Sequence, residues 1–455
     1  MNTFSLKTLR ELWRLALPMV VSQGAFAVMV FTDRLFMSWL DAAHIAAALG
    51  GGVAAFFCFS FFLGLIGYGN ALVAQYYGAG QFEKCPRVTT QGLLLTTASL
   101  PMLVLTAWAG QHAFQYMGHA PEQVALEQTY FLVLMFGSPF ILIKAAFGSY
   151  FSGIGRTRIV MTADLLGTAL NVPLSWALIF GHFGSPALGI AGAALGTLIA
   201  TLFAISVFLI FYFSLTHRQQ FAVNESFCFD RGIFRRYLRL GLPSGLESLM
   251  NTGSFNLFLL LFQSYGVVQG AAMAIVFNWD MLSFVPMVGL NIAVMSLVGR
   301  FVGSGDMRRV NEVISSGFLI ALGYAGLLSV VFLVFRTPLI AVFDTGHGEF
   351  ASIQSLAELM MIGLVTYMLA DAIILVSGGA LRGAGDTRWI MVTSISVHWL
   401  MLVVQYLVIV VYAFEPLVSW WVFVAMLLVL AAVYAGRLMG TRWRDERRLA
   451  RMMQE

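Results

Sequence analysis

Charge is what this sequence has least of. Only 11% of its 455 residues are Asp, Glu, Lys or Arg, while 59% are hydrophobic, and the mean hydropathy is +0.84. A soluble chain of this length needs far more polar surface, so a water-soluble fold is excluded. Cysteine is scarce as well. Cys58, Cys85 and Cys228 form an odd set without paired spacing, which argues against a disulfide framework and a thiolate metal site. The phosphate-cradling pattern GxxxxGK[ST] is absent, so ATP is not the evident energy source. The histidines show no metal-ligand spacing. His44, His112, His119, His182, His217 and His347 fall near loops, and only His398 falls in an apolar run. A membrane-embedded enzyme needs a nucleophile–base set or a metal triad, and neither is evident. No organic cofactor is expected.

What the chain has in abundance is apolar runs long enough to span a bilayer, roughly 20 residues of helix each. Twelve candidate spans cover about 12–39, 46–74, 88–109, 124–152, 159–183, 188–215, 238–263, 267–302, 312–335, 351–380, 389–412 and 417–440. Inside a membrane every backbone polar group needs an internal partner, and runs of this length imply helices rather than barrel strands. The first run lacks a small-residue cleavage site and reads as a true span rather than a signal peptide.

The basic residues test this division. Of 26 Lys and Arg, all but Arg34, Lys144 and Arg336 fall on one alternating set of ends and loops. By the positive-inside rule both termini are expected in the cytoplasm. The basic tail "TRWRDERRLARMM" is explained by anionic lipid beside the membrane, and no nucleic acid partner is called for.

The sequence also repeats itself. "RLALP" at Arg14–Pro18 returns as "RLGLP" at Arg239–Pro243, and "QYYGAGQ" at Gln75 faces "RFVGSGD" at Arg300, each pair 225 positions apart. "GIGRTR" at Gly153 returns as "GAGDTR" at Gly383, 230 positions on. The chain therefore reads as two six-helix halves. An N-terminal lobe is expected at 1–215, a cytoplasmic linker at 216–237, a C-terminal lobe at 238–440 and a basic tail at 441–455. Six crossings is an even number, so the halves are parallel repeats about an axis along the membrane normal. Both glycine-rich loops then lie on the cytoplasmic side.

Several of these segments, taken in order, resemble the multidrug and toxic compound extrusion (MATE) family, in particular its bacterial NorM-like branch. "LALPMVVSQGAFAVMVFTD" is similar to the family's first helix, ending in its aspartate. "ALVAQYYGAGQ" resembles the end of the second. "LNVPLSWALIFG" with "LGIAGAALGT" resembles the fifth and sixth, and "YMLADAIILVSGGALRGAGDTR" the tenth helix with its following loop. The likeness covers nearly the whole chain. It implies an all-α polytopic membrane protein of twelve transmembrane helices in two pseudo-symmetric lobes forming a V. It also implies a secondary-active exporter of drug-like cations or amphipathic compounds, driven by protons or sodium through alternating access. The location implied is the bacterial inner membrane, and a monomer amid lipid is expected.

Five acids fall clearly inside spans: Asp33, Asp164, Glu247, Asp280 and Asp371. A carboxylate at membrane depth costs at least about 2.5–3.5 kcal/mol on insertion scales, so function is the default reading. Asp33 lies in the outer half of the first span and is a candidate proton carrier; it matches the family's first-helix aspartate. A static pair with Arg34 is disfavoured, since adjacent residues diverge around a helix. Arg34 itself departs from the family, where a small polar residue is common. Asn171 and Pro173 match the family's fifth helix, where a freed carbonyl and an amide help coordinate a cation; a packing hydrogen bond is the plain alternative. Asp164 is expected to complement its helix N-terminus. Tyr367 and Asp371 share one face of the tenth span, a pair the family ties to cation binding, with sodium at Asp371 in view. The family's glutamate would fall at Asn251, whereas the chain has Glu247 one turn earlier. Glu247 and Asp280 are therefore candidates to restore the missing charge, with Asp280 equally readable as a packing acid.

Abundant Phe (39) and Met (23) mostly face lipid or one another. Any that line a cleft would give an adaptable site for flat cations. A flippase of lipid-linked precursors is the rival transporter. It calls for a cationic cleft, while the buried charges here are mostly acidic. Protons are expected as the main coupling ion.

Overall fold

The computed structural model describes residues 4–116, 120–344 and 350–445. His119, His347 and the tail arginines Arg447, Arg448 and Arg451 lie outside these. The described chain is helical with no strand. In order it forms α1 (Leu6–Ser38), α2 (Ala42–Gly67), α3 (Gly69–Gly78), α4 (Lys84–Ala113), α5 (Pro121–Gly153), α6 (Thr157–Phe180), α7 (Ile190–Tyr212) and α8 (Leu215–Phe221). It continues with α9 (Arg231–Gln263), α10 (Val267–Gly303), α11 (Met307–Val334), α12 (Arg336–Ala341), α13 (Phe350–Gly383), α14 (Thr387–Tyr406) and α15 (Pro416–Met439).

Among the described residues, 11 segments are long and apolar enough to cross a membrane, with α2 and α3 forming one of them. The twelfth long helix is α9, whose early turns carry Arg235, Arg236 and Arg239 and whose middle carries Glu247. Its charges explain both its lower hydropathy and its early start. Apolar content places the seventh span from 238, but the helix runs from Arg231, just as α1 runs from Leu6 rather than 12. Basic turns extend a helix beyond the bilayer core, and a hydropathy reading ends where charge begins. Part of the expected linker is therefore helical: α8 and the first turns of α9.

The glycine-rich repeats have a common geometry. Gly80, Gly155, Gly305 and Gly385 all take left-handed backbone, with φ of 75°, 80°, 75° and 78°. Each ends a helix with the same paired bonds. Gly155 N donates to Ser152 O and Arg156 N to Phe151 O; Gly385 N donates to Arg382 O and Asp386 N to Leu381 O. Gly80 and Gln81 repeat the pattern onto Tyr77 and Tyr76, and Gly305 and Asp306 onto Val302 and Phe301. This is the Schellman arrangement, which satisfies the last carbonyls and needs a residue at ease with positive φ. The duplicated letters thus encode duplicated turns.

The chain divides into two compact units. One is Val21–Leu249; the other joins the chain up to Val20 with the chain from Met250 onward. Within the first, the base of α9 is fastened by Arg236, whose Nη2 donates to Gln75 Oε1 at 2.7 Å, and by Tyr237, whose hydroxyl donates to Ile66 O at 2.7 Å. Its core gathers Phe59, Phe114, Phe131 and Leu142. A second cluster holds Phe36, Met37, Ile179 and Ile190. Within the other unit the base of α1 is fastened by Glu11, which contacts Arg300 at 3.7 Å and also Arg309, and by Thr8, which donates to Glu312 at 2.7 Å. Its core gathers Phe258, Tyr367, Trp420 and Phe423. Positions 11 and 300 are the repeat equivalents of 236 and 75, so each half carries the same tether in different residues. Lys84 over the Tyr76 ring at 5.5 Å and Arg309 over Phe301 at 4.1 Å form another pair at that offset.

Candidate functional site

In the unit Val21–Leu249, three helices bring a polar cluster into an apolar interior. Asp33 comes from α1 and is only 6% exposed. Thr197, in the first turns of α7, donates its hydroxyl to Asp33 Oδ2 at 2.8 Å. Asn171 of α6 is fully buried; its Nδ2 donates to Thr197 Oγ1 at 3.3 Å and to Ser175 Oγ at 3.2 Å. Local sequence explains the approach. Gly196 packs so closely that a Cβ there would collide with Ser175, which lets α7 bring Thr197 up to α6. Pro173 lacks an N–H and so leaves a carbonyl of α6 without its helical donor beside Asn171. Arg34, one residue from Asp33, points outward and is exposed.

Among the described residues, Asp33 Oδ1 and Asn171 Oδ1 are buried without a hydrogen-bond partner. Ser175 and Asn171 still act on the Asp33 carboxylate as hydrogen-bonding neighbours, so the network is close-set but incompletely satisfied, and a buried polar group left so is costly. One added proton or cation would complete it.

Asp164 has a different role from the one expected of it. It stands about two turns into α6, beyond the reach of the end-of-helix field, which fades within the first turn. Lys144 Nζ of α5 lies 2.7 Å from Asp164 Oδ1, and Ser22 of α1 donates to Asp164 Oδ2.

In the unit containing α10 and α13, Tyr367 and Asp371 are buried on α13, with Asp280 of α10 within electrostatic reach of both. The Tyr367 ring meets Phe423 edge-on at 5.7 Å between ring centroids and Trp420 at 6.1 Å. Trp420 is itself fixed by its indole N–H, which donates to Met360 O at 3.0 Å. Of the four residues considered for a C-terminal cation site, Asp280, Tyr367 and Asp371 converge. Glu247 is buried on α9 in the other compact unit. Asn251, at the family's glutamate position, donates to Ser394 Oγ at 2.8 Å. Among the described residues no three His, Cys, Asp or Glu side chains group as a metal site.

Sequence reasoning missed Thr197, Ser175 and the Lys144–Asp164 pair. Ser175 had a signal, since it lies one turn from Asn171 on the same face.

Comparison with known proteins adds an independent line. The MatE family profile matches residues 18–177 and 243–407, so the match itself falls in two halves. A probable multidrug resistance protein NorM of Bradyrhizobium diazoefficiens is 28% identical over 395 residues, covering 86% of this chain and 84% of that protein. Another, of Pseudomonas putida, is 29% identical over 407 residues, with 86% and 85% covered. The multidrug resistance protein MdtK of Yersinia pseudotuberculosis is 26% identical over 404 residues, with 86% and 85% covered. Two solved structures share the fold. A MOP superfamily transporter from Pyrococcus furiosus has a TM-score of 0.86 at 20% identity, covering 98% of this chain and 97% of its own. The eukaryotic MATE transporter AtDTX14 has a TM-score of 0.86 at 15% identity, covering 98% and 99%.

Proposed function

Since this chain belongs to the MatE family, a family of multidrug efflux transporters, we propose that it exports cationic or amphipathic compounds by proton antiport through alternating access, with Asp33 as the proton carrier. The observation that carries this reading is the half-satisfied carboxylate. Thr197 serves one oxygen of Asp33, while the other oxygen and the neighbouring Asn171 Oδ1 lack partners among the described residues. A proton on Asp33 lets the carboxyl donate, and Asn171 Oδ1 is an acceptor without a partner among the described residues. Loss of that proton removes the donor and leaves a charge in an apolar interior. The two states therefore favour different packings of α1, α6 and α7, which is what a coupling site requires.

Sodium is the second reading, favoured by the convergence of Asp280, Tyr367 and Asp371. A buried sodium ion wants several oxygen ligands with compensating negative charge. Asp280, Tyr367 and Asp371 offer three such side chains, and Asn251, engaged by Ser394, adds no charge. That leaves the proton as the favoured driver. Against the rival flippase reading, the interior Lys144 is matched by Asp164 and gives no net positive charge there. The bacterial relatives support a bacterial inner membrane, and the one-sided basic residues support cytoplasmic termini by the positive-inside rule.

The test uses purified protein in liposomes, with dye efflux driven separately by a pH gradient and a sodium gradient. Proton-driven efflux is expected from the wild type and its loss from Asp33→Asn, with Asp371→Asn impaired less. Efflux driven by sodium alone, abolished in Asp371→Asn and retained in Asp33→Asn, reverses the assignment.

A further inference from the structure

Deep in α14 stands His398, three turns past Thr387 and about 16 Å along the helix at 1.5 Å per residue, which is about half the thickness of a bilayer core. An ionisable group at that depth is costly and marks a functional site by default. In the unit from Met250 onward, two residues of α9 meet α14 at this level. Asn251 Nδ2 donates to Ser394 Oγ at 2.8 Å, and Ser254 Oγ donates to His398 O at 3.4 Å. Ser394 draws the seam together, because its carbonyl oxygen also accepts from His398 Nδ1 at 2.8 Å.

These bonds decide where a proton can go. A carbonyl oxygen only accepts, so Nδ1 must carry the ring hydrogen, and Nε2 is the basic nitrogen. Within the described chain Nε2 has no hydrogen-bond partner, and the ring is only half-buried. Asn251 Oδ1 is buried in the same seam and also lacks a donor. From α9 the seam receives only the neutral Asn251 and Ser254. Among the described residues of α13 and α15, the charged Glu358, Asp371, Arg382 and Arg437 do not act on the ring. The first half is built differently at this level. Ser394 lies 230 positions after Asp164, the offset of the glycine-rich turns that precede α6 and α14, and Asp164 is met by Lys144 at 2.7 Å. The second half has a serine in place of the acid and a base one turn further on.

We propose that His398 is a proton-binding site of the C-terminal half, taking a proton on Nε2 in one orientation of the transport cycle and returning it in the other. The inference rests on the proton antiport reading and deepens it by adding a second proton station to Asp33. In the step itself the Nε2 lone pair forms an N–H bond to a proton from hydronium, water leaves, and the ring gains one positive charge. That charge and the new donor arise in a seam with an acceptor to spare, Asn251 Oδ1. The neutral and protonated seams favour different packings of α14 against α9, which lets proton binding bias a conformational equilibrium. The two stations differ in sign: protonation removes a charge at Asp33 and creates one at His398.

The test reads ring-labelled histidine by NMR in purified protein in lipid nanodiscs. The His398 signal is the one absent from His398→Asn, which keeps a donor for Ser394 O and cannot titrate. It should show the Nδ1–H tautomer and protonate within about pH 5–8. In Asn251→Asp the same titration should move up by about one unit or more, because a carboxylate then joins the seam. In liposomes His398→Asn should slow efflux driven by a pH gradient about tenfold, towards the lower end of coupling between sites, and flatten its pH profile. A His398 ring that stays neutral throughout this range overturns the proposal, as does His398→Asn efflux with the wild-type rate and profile. Should His398→Asn fail to fold, Asn251→Asp identifies the signal by its shift, and the absence of any shifted histidine signal overturns the proposal. The titration is read without any gradient, so a wild type whose His398 titrates but which exports nothing fails the transport reading alone.

Discussion

Arg156 and Asp386 occupy the same position in the two repeat turns and carry opposite charge. Each fastens its turn to the chain near the end of the sixth crossing of its own half. Arg156 donates to His217 Nδ1 at 3.0 Å and to Gln220 Oε1 at 2.9 Å, both on α8. Asp386 is 2% exposed and is contacted at 2.8 Å by both Nε and Nη2 of Arg437 on α15. The tether is conserved between halves while its chemistry differs. Asp386→Ala strands a partly buried guanidinium and should cost about 3 kcal/mol. Arg156→Ala removes bonds to neutral acceptors and should cost about 1 kcal/mol. Thermal unfolding in detergent compares them, and an equal fall in Tm contradicts the distinction.

The α8 tether also makes stability depend on pH. Arginine can only donate, so His217 Nδ1 must accept, and Nε2 carries the proton given to the Tyr150 hydroxyl at 2.7 Å. Phe151, Tyr212 and Phe221 close around the ring. Burial, followed by the Arg156 charge, pushes the His217 pKa down to about 4. The unfolded chain then binds the extra proton at higher pH than the folded protein does. Stability should be level above about pH 6.5, the ordinary histidine value, and fall progressively towards pH 4. His217→Gln should flatten that part of the curve. A slope unchanged in the variant assigns the acid sensitivity elsewhere.

Orientation can be read from a native residue. Cys228 is exposed between α8 and α9, whereas Cys85 is buried and Cys58 only partly accessible. In intact cells a membrane-impermeant maleimide should leave Cys228 unmodified, and after permeabilisation it should react. Phe183→Cys, in the exposed turn after α6, should react in intact cells. The reverse pattern inverts the topology.

What the sequence discloses and what it hides follow from where each signal resides. Spans depend on composition along the chain, so long apolar runs suffice to place most of them. The repeat turns are legible because a left-handed backbone selects glycine. Asp33 stands out because an acid is rare in an apolar helix. Its partner does not. Thr197 and Thr201 are one turn apart in α7, and a helical threonine commonly bonds back to its own helix, as Thr201 does to Thr197 O. Only the rotation of α7 against α6 decides that Thr197 turns to Asp33 instead. The Lys144–Asp164 pair is hidden for the same reason, because helix rotation is set by packing between elements.

That rotation can be tested through the hydroxyl. Thr197→Val preserves shape but deprives Asp33 Oδ2 of its donor, while Thr197→Ser retains it. A hydrogen bond to a charged group contributes about 1.5–3 kcal/mol, so proton-driven efflux should fall about tenfold or more in the valine variant. The serine variant should stay near wild type. Equal rates in all three would separate Thr197 from coupling and leave its contact with Asp33 a matter of packing.

The C-terminal acids offer a sharper test, because Asp280 and Asp371 lie close enough to interact electrostatically in one apolar core. Two such carboxylates require positive charge between them, and whatever supplies it belongs to the pair rather than to either residue. Removing one acid should therefore disable the shared site, and removing the second should add little. Asp280→Asn and Asp371→Asn are expected to lower efflux by similar factors, with the double variant close to either single one rather than at their product. Tyr367→Phe removes a hydroxyl without a charge and should have a smaller effect. If the two single effects multiply in the double variant, Asp280 and Asp371 act independently, and Asp280 is a packing acid of α10.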